Sequence, residues 1–449
     1  MDGTTLSAEV PMALANAPTN AAPTNLAPPV WSDHVRPCPP LGRKLRVAMP
    51  CTGIDGAGEA LYQGTVDFEG CNIWDLEGGY KSYLVDHFMK CCGKVPKLHL
   101  GRKLGNLLVS KLSDLEGACD LLVSGCPCPP WAGNGCKKST KDARFQVFWI
   151  VIRWILHLIT CNGLLAVCLE NVQGTMKKIK KEPAFDPRLQ NMFQHLIPSF
   201  VWRIDLVQAM DYLSAATRSR VLLRGMSKLF APTEVPPVLP PFGARRLADC
   251  LGEFPNMPRS SATEAQQQNL QDYDDTIHNM VQSGRISADS LVVVAADRAE
   301  KKVFKQTIVV NHAPCLTCHN KYLWVMKANE VKLPLEQRTL YRLIHPSERL
   351  TWQGFQANSV DKLGLSLAVK GAGNCFPVGM MMAGLLPLCY AFAEHGGLPP
   401  LKKTCKFEDI VTYHQLEVAA KKLIFAAPPA RSSNEKAKKV KGKIRASKP

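Results

Sequence analysis

The stretch LRVAMPCTGIDGAGEALYQG, from Leu45 to Gly64, decides the fold because it joins a strand, a glycine turn and a helix. LRVAMP is a short apolar run of the kind that forms a buried strand, and EALYQG has the composition of a helix. Between them, CTGIDGAG places Gly53, Gly56 and Gly58 in a tight turn, where a ligand can approach a backbone that lacks side chains. Strand, turn and helix in this order predict the first βα unit of an α/β domain.

The same alternation continues along the chain and predicts a doubly wound α/β sheet with parallel strands. Further strands are predicted at five apolar runs: Cys71–Glu77, Asp120–Gly125, Leu164–Val172, Val201–Ala209 and Arg220–Met226. Further helices are predicted at Lys81–Cys91 and Asp142–Cys161. The second of these contains Arg153 and His157 and is too short to span a bilayer, so we interpret it as a buried helix and predict no membrane partner.

Composition and charge favour a globular protein with a polyanionic partner. Of the 449 residues, 46% are hydrophobic and 21% are charged, which suits a chain with a sizeable core. The formal net charge is +17; the tail at 431–449 supplies +7, and the body after residue 44 keeps +10. A basic body of this kind favours nucleic acid. The seventeen cysteines, several of them inside apolar runs, fit a reducing compartment better than a disulfide framework.

An interruption of the strand–helix alternation divides the chain into five segments. Residues 1–42 are rich in Ala, Pro, Thr and Asn, and we predict that they are disordered. Residues 43–228 hold the alternating strands and helices, and 229–338 form a more polar insert after a proline-rich linker. The apolar pattern returns at 339–395, and 396–449 form a C-terminal extension that ends in a basic tail.

Two residues with catalytic chemistry follow two of the predicted strands. In SGCPCPPWAGNGC, Ser124 to Cys136, Cys128 lies between two prolines directly after a strand. Ligands of open α/β sheets bind outside the carboxyl ends of the strands, and a thiol on a rigid loop there suits nucleophilic attack. Glu170 ends the strand LLAVCLENV, so its carboxyl group is expected at the same edge of the sheet. The spacing of the three cysteines matches no common zinc site.

An acidic residue near the glycine turn indicates a nucleoside cofactor. Asp75 lies nineteen residues beyond Gly56, where an acid in this fold class accepts hydrogen bonds from ribose hydroxyls. The turn lacks the Gly-x-x-x-x-Gly-Lys-Ser/Thr phosphate loop, which disfavours a nucleoside triphosphate. These residues alone do not separate a dinucleotide from an adenosyl-sulfonium cofactor.

Five motifs, in chain order, resemble those of the C5-cytosine-specific DNA methyltransferase family. They are GCPC at 125–128, ENV at 170–172, RSR at 218–220, HPSERLTWQGF at 345–355 and GAGNCFPVGMMMAGLL at 371–386. The resemblance covers about residues 45–392 and implies a Rossmann-like α/β sheet that uses S-adenosylmethionine. It also implies a catalytic domain formed by 43–228 and 339–395, with a smaller target-recognition domain at 229–338.

Carried over residue by residue, the resemblance assigns the chemistry to four residues. Cys128 attacks C6 of a cytosine, and Glu170 donates a hydrogen bond or a proton to N3. Arg220, with Arg218, holds the base carbonyl and nearby backbone. C5 then takes the methyl group, a base removes the C5 proton and the thiol leaves; the target base must first be flipped out of the DNA helix. The resemblance places the cofactor at eight residues: Thr52, Gly53, Gly56, Asp75, Leu76, Asn106, Pro127 and Asn374.

The sequence departs from the family's pattern mainly in the cofactor turn. Met49 and Cys51 stand where the family has Asp-x-Phe, Asp55 stands where a glycine is usual, and Trp131 replaces a phenylalanine beyond the nucleophile. These departures motivate one alternative, a nonenzymatic DNA-binding regulator. A transfer-RNA cytosine methyltransferase is the other, although the insert lacks that branch's Cys-Phe-Thr signature. Because the nucleophile, the acid and the arginines are retained, we predict an active DNA (cytosine-5-)-methyltransferase.

The insert and the tail contain further candidate sites. Cys315 and Cys318 form a Cys-x-x-Cys that would need two more ligands, such as His312 and Cys250, to bind zinc, and we predict no metal. Five lysines of the insert are expected on DNA phosphates: Lys301, Lys302, Lys305, Lys321 and Lys327. KKVKGK at 438–443 suggests nuclear import or a nucleic-acid arm, so we expect a nuclear location in a eukaryote and a cytoplasmic one otherwise. Accessory targeting proteins are expected as partners.

Overall fold

The computed structural model describes residues 31–51, 53–74, 107, 111–115, 117–128, 130–132, 139–177, 184–256, 261–297, 308–317, 322–355, 365–402 and 404–425. Six strands within these ranges form the main sheet. They are β1 (Leu45–Pro50), β2 (Phe68–Trp74), β3 (Leu121–Gly125), β4 (Ala166–Val172), β5 (Phe200–Gln208) and β6 (Ser219–Ser227). Their order across the sheet is β2-β1-β3-β4-β6-β5. The predicted α/β sheet is therefore confirmed, whereas the predicted helix at 81–91 lies outside the described residues.

One strand departs from the predicted parallel arrangement. Strands β1 to β4 pair in parallel, but β6 lies antiparallel between β4 and β5. The apolar pattern of a buried strand has no direction, so the sequence could not show this reversal. Its consequence is that the first residues of β6 lie beside the last residues of β4, with Arg220 opposite Val172.

Side chains of the buried strands alternate between two apolar layers. Leu121 and Val123 face one cluster, and Leu122 between them faces the other. The first cluster is completed by α1 (Gly56–Gln63) and α7 (Val378–Glu394), and the second by α2 (Phe145–Cys161), α3 (Phe185–Leu196) and α8 (Phe407–Phe425). A sheet apolar on both faces requires helices on both faces, which gives three layers.

Helix α7 lies in the centre of the first layer, and the N-terminal segment packs against it. All its residues from Val378 to Phe392 are buried, as expected of a helix that is apolar on all sides. Trp31 is 6% exposed, and its ring lies so close to Gly379 that a Cβ there would be 2.6 Å from it. Residues 31–42 belong to the segment predicted to be disordered, and composition did not reveal that Trp31 packs against α7.

A smaller antiparallel sheet forms beside the main one, in the order β10-β9-β7-β8. Its strands are β7 (Leu291–Ala295), β8 (Ile308–Val310), β9 (Leu323–Lys327) and β10 (Tyr341–Leu343). One face packs on α4 (Glu264–Gln282), and the other joins the first apolar layer of the main sheet. Strand β10 lies beyond residue 338, where the insert was predicted to end.

The remaining helices bring the chain back to the main sheet. They are α5 (Pro346–Trp352) and α6 (Leu365–Asn374), and α6 is followed by α7 after a short loop. Among the described residues, no single helix is long and apolar enough to cross a membrane. Two helices that follow each other at an angle of 46° are long and apolar enough only when they are counted together. They are Leu367–Asn374 and Val378–Glu394.

Candidate active site

The Cys128 loop is a tight turn anchored in the protein interior. The Cys128 carbonyl accepts hydrogen bonds from the backbone N–H groups of Trp131 and Ala132, both at 2.9 Å. The Trp131 side chain is 3% exposed. Its ring packs on three phenylalanines at centroid distances of 6.1, 5.7 and 4.7 Å: Phe145, Phe148 and Phe185. The replacement at position 131 therefore fills the core beneath the loop and holds the half-buried thiol at the end of β3.

The loop after β4 packs directly against the Cys128 loop. A Cβ on Gly174 would lie 2.1 Å from the Trp131 carbonyl oxygen, so only glycine allows this approach of the two loops. In the sheet, Gly125 pairs with Glu170. The neighbouring strand ends thus bring the Cys128 loop and the Glu170 carboxyl group to the same edge, as the sequence predicts.

Arg220 completes the charged part of this edge. Its Nε lies 2.6 Å from Glu170 Oε1, and the two side chains are 10% and 9% exposed. Its Nη1 donates a hydrogen bond to the Ser219 carbonyl, and the guanidinium also hydrogen-bonds the Cys315 side chain. A buried carboxylate needs such a partner, since an unpaired charge is strongly disfavoured in a poorly hydrated site.

The three groups act on one another electrostatically. Burial raises the pKa of the Cys128 thiol above its ordinary value, Arg220 and then Arg218 oppose the shift, and Glu170 adds to it. The free protein therefore holds Cys128 mainly as the neutral thiol at pH 7. Because the thiolate is the nucleophile, the site needs a base or further positive charge before Cys128 can react.

The pKa of Cys128 predicts how this thiol reacts with iodoacetamide. We expect little alkylation of Cys128 at neutral pH and a rate that rises about tenfold per pH unit to beyond the ordinary pKa of a thiol. Arg220→Gln should slow the reaction at a fixed alkaline pH, and Glu170→Gln should accelerate it, because they remove opposite charges. Peptide mass spectrometry measures the rates, with exposed Cys405 as the internal control. Equal effects of the two variants would contradict this electrostatic arrangement.

Arg218 lies two residues before Arg220 and contacts backbone carbonyl groups. Its Nη1 donates to the carbonyl oxygens of Leu316 and Gly373, both at 3.1 Å, and its Nη2 donates to that of Cys375 at 3.0 Å. The residue is 5% exposed, and burial lowers the pKa of its guanidinium. The structure therefore places the Arg218 guanidinium on three backbone carbonyl oxygens of the protein, and its role toward the base stays a prediction.

The glycine turn after β1 keeps a strained geometry despite the departure at position 55. Asp55 has φ 63° and ψ 51°, the left-handed conformation that favours glycine, and its carboxylate accepts a hydrogen bond from Gly58 N at 2.8 Å. It therefore caps α1 while it preserves the turn. A Cβ on Gly56 would lie 2.3 Å from the Phe376 carbonyl oxygen, so this glycine admits another segment of the chain.

Asn374 lies beside the same turn. Its carbonyl oxygen would be 3.4 Å from a Cβ on Gly53, which itself has φ +60°. Asn374 is exposed, whereas Cys375 is 1% exposed and Ala372 is fully buried. An exposed amide beside a glycine turn at the carboxyl end of β1 can donate and accept hydrogen bonds, which suits the binding of a polar ligand.

The sequence profile of the family described as C-5 cytosine-specific DNA methylase matches residues 103–384. The chain belongs to this family. The match contains the Cys128 loop, the strand end at Glu170, both arginines and Asn374, so the residues that meet at the sheet edge all lie within the matched part of the methylase.

Three similar proteins illustrate how far sequence and fold agree. The Type II methyltransferase M.HgiCII of Herpetosiphon aurantiacus is 31% identical over 116 residues, which are 25% of this chain and 24% of that protein. The methylase therefore spans about a quarter of the length of this relative. A putative DNA modification methyltransferase encoded within an E. coli prophage matches 78% of this chain and 100% of its own, with 15% identity and a TM-score of 0.48. A Spodoptera frugiperda DNMT2 mutant matches 77% of this chain and 99% of its own, with 13% identity and a TM-score of 0.47.

Several predicted residues of the methylase have no described position. Thr52, Asp75, Leu76 and Asn106 lie outside the described residues, as does Cys318. Pro127 is half-buried between Cys126 and Cys128. The predictions for the ribose and adenine contacts therefore stay predictions.

The described part of the methylase contains no cluster of three or more His, Cys, Asp or Glu side chains that could hold a metal ion. Cys250 belongs to the main apolar cluster, where burial raises its pKa to about 12. Cys315, which the sequence offers as one of the two cysteines of a Cys-x-x-Cys, hydrogen-bonds the Arg220 side chain.

Sequence reasoning missed the site roles of two residues in the methylase. Cys315 touches Arg220, although the local Cys-x-x-Cys pattern suggests only a metal ligand. Phe376 lies between two strand ends: a Cβ on Gly125 would be 2.3 Å from its ring, and its carbonyl meets Gly56. No local signal in the sequence indicated the second.

Proposed function

We propose that this protein transfers a methyl group from S-adenosylmethionine to C5 of cytosine in DNA through a covalent bond between Cys128 and C6. The observation that supports the proposal most is the Glu170–Arg220 ion pair at 2.6 Å, whose two charges both act on the Cys128 thiol. A nucleophile, an acid and a permanent cation at one edge of the sheet can serve a single pyrimidine ring.

The proposed reaction assigns one task to each of the three side chains. Cys128 loses its proton to a base and its sulfur forms a bond to C6, which leaves C5 electron-rich. Glu170, when protonated, donates a hydrogen bond to N3 and thereby favours this attack. Arg220 orients the Glu170 carboxyl group and can donate to the carbonyl oxygen of the base. After C5 has been methylated, a base takes the C5 proton and the C6–sulfur bond breaks, which regenerates the thiolate.

The cofactor supplies an electrophilic methyl group when it is bound. The residues that would hold it are the turn at Gly53 and Gly56 and the exposed amide of Asn374, with the contributions of Thr52, Asp75, Leu76, Asn106 and Pro127 carried over from the family resemblance. Asp55 keeps the left-handed turn and caps α1, so the departure at this position leaves the turn intact. This geometry argues against the alternative of a regulator whose cofactor turn has decayed.

DNA is proposed as the substrate because the chain is basic and belongs to a DNA methylase family. The target cytosine would be flipped out of the duplex, since C5 and C6 of a stacked base are hard to reach. The insert with its small sheet is proposed as the target-recognition domain. A nuclear location in a eukaryote, and accessory proteins that direct the enzyme, are proposed on the same basis.

A methyl-transfer assay with radiolabelled S-adenosylmethionine on duplex DNA and transfer RNA, side by side, tests this function. We expect label in DNA, read as 5-methylcytosine after bisulfite treatment, and little in transfer RNA. Glu170→Gln should lower the rate by about a hundredfold to ten-thousandfold, the range for a lost general acid. Glu394→Gln, which changes an exposed carboxylate far from the site, is the matched control. Transfer to RNA alone would favour the transfer-RNA alternative, and equal rates in all variants would refute the assigned chemistry.

A further inference from the structure

Arg218 joins three segments that are distant in sequence. Its guanidinium donates one hydrogen bond to Leu316 and two to the segment that carries Asn374, through Gly373 and Cys375. All three acceptors are backbone carbonyl oxygens, so the contacts depend on the path of the chain in each segment.

The Leu316 side of this clamp belongs to the insert. Shortly after β8 ends at Val310, Ala313 pairs with the strand-like segment that precedes β6. Ala313 N donates to the Ala215 carbonyl at 2.7 Å, and Thr217 N donates to the Ala313 carbonyl at 3.0 Å. The insert is thus fixed to the main sheet immediately before Leu316 reaches Arg218.

The other side of the clamp positions the loop of the proposed cofactor site. Gly373 and Cys375 flank Asn374, so Arg218 holds the chain on both sides of this exposed amide. The Asn374 carbonyl in turn lies against Gly53 in the glycine turn. Movement of the loop would change the distance between Asn374 and the turn.

The chemistry of arginine makes the clamp specific. The planar guanidinium presents several N–H donors in fixed directions, whereas a lysine ammonium at the end of a flexible chain cannot reproduce that geometry. Arg218 is a buried cation, and burial lowers its pKa, so its charge depends on the carbonyl dipoles around it. Displacement of either segment would leave the cation poorly solvated, which opposes independent movement of the two.

We propose that Arg218 is a positioning residue that couples nucleic-acid binding on the insert to cofactor binding beside Asn374. The proposal rests on the proposed function, because it takes S-adenosylmethionine and DNA as the two ligands. Coupling between two binding sites is reciprocal, so DNA must tighten the cofactor by the same factor by which the cofactor tightens DNA. Arg220 pairs with Glu170 and is assigned to the target base, whereas Arg218 holds together the two segments that are proposed to bind the ligands.

Calorimetry on the full chain tests this coupling with S-adenosylhomocysteine as the probe. Its Kd is measured with and without mixed-sequence duplex DNA. For the unaltered protein we expect DNA to tighten the probe at least about fivefold, the lower end of typical coupling. For Arg218→Lys we expect a ratio near one, and for Arg36→Lys, at an exposed arginine paired with Glu394, a ratio like that of the unaltered protein. A ratio of one in the unaltered protein, or full coupling in Arg218→Lys, would overturn the proposal.

Hydrogen exchange of the ligand-free protein provides a readout that does not depend on activity. In Arg218→Lys, amides at 315–317 and at 371–376 should exchange faster together, while those of β3 and α2 keep their rates. Faster exchange in only one of the two segments would overturn the clamp. If the unaltered protein binds the probe but transfers no methyl group, the proposed function fails while the coupling is still measured. If the probe does not bind at all, the coupling proposal fails as well, and exchange then tests the clamp alone.

Discussion

Cys128→Ser is expected to abolish methyl transfer while the protein keeps its fold and its affinity for DNA. The substitution replaces one sulfur by oxygen on a half-buried side chain, so packing changes little. A serine hydroxyl is far less acidic than a thiol, and the same burial and neighbouring carboxylate that raise the pKa of Cys128 would disfavour an alkoxide further. We expect a loss on the order of 10⁶-fold, the size seen when a covalent nucleophile is removed.

The measurement combines transfer with detection of a covalent adduct. DNA that contains 5-fluorocytosine cannot lose the C5 substituent as a proton, so a bond from Cys128 to C6 would persist after methylation. The unaltered protein should form a denaturant-resistant complex with this DNA, and Cys128→Ser should form none. Cys405→Ser, at an exposed thiol before α8, is the control that should behave like the unaltered protein. An adduct in the serine variant, or an adduct mapped to another cysteine, would disprove the assignment.

Glu348→Ala is expected to destabilise the fold strongly. Glu348 is fully buried, and it pairs with Arg342, which is 1% exposed, at 2.7 and 2.9 Å. Its oxygens also accept from His345 N and Gly252 N at 2.7 and 2.8 Å, which caps α5 and ties it to the segment before α4. Alanine would leave the Arg342 cation buried without its partner, at a cost of about 3–5 kcal/mol.

Urea unfolding monitored by tryptophan fluorescence measures this change. Glu348→Gln should lose less stability than alanine, since it keeps the volume of the side chain and some of its hydrogen bonds. Asp249→Ala removes the partner of Arg246 in an exposed pair and should leave the midpoint nearly unchanged. If the alanine variants at 348 and 249 unfolded at the same urea concentration, the buried hydrogen bonds of Glu348 would contribute no more to stability than the exposed pair does.

Much of the fold and of the candidate catalytic edge can be predicted because both depend on local sequence pattern. Buried strands such as Leu121–Gly125 are continuous apolar runs, and the edge where Cys128 and Glu170 meet follows from the ends of those runs. The reversed direction of β6 could not be predicted, since its sequence pattern is the same in either direction. Helix α8 was also missed, because six of its large apolar residues remain exposed and its helical periodicity is weak.

The long-range contacts around the site could not be predicted from the sequence for a different reason. The sequence singles out Arg218, but its carbonyl partners lie 98 to 157 positions further along the chain. Glu348 lay inside a recognised motif, yet nothing in the motif shows that it neutralises Arg342. Long-range pairing of this kind depends on the folded path of the chain, which one sequence does not contain.

The position of Phe376 constrains two glycines that are distant from each other in the sequence. Its ring occupies the space that a side chain at position 125 would need, and its carbonyl occupies the space that one at position 56 would need. Neither glycine can therefore be exchanged alone by drift. Alanine at 125 would need a smaller residue at 376, whereas alanine at 56 would meet the backbone carbonyl of residue 376 whatever its side chain.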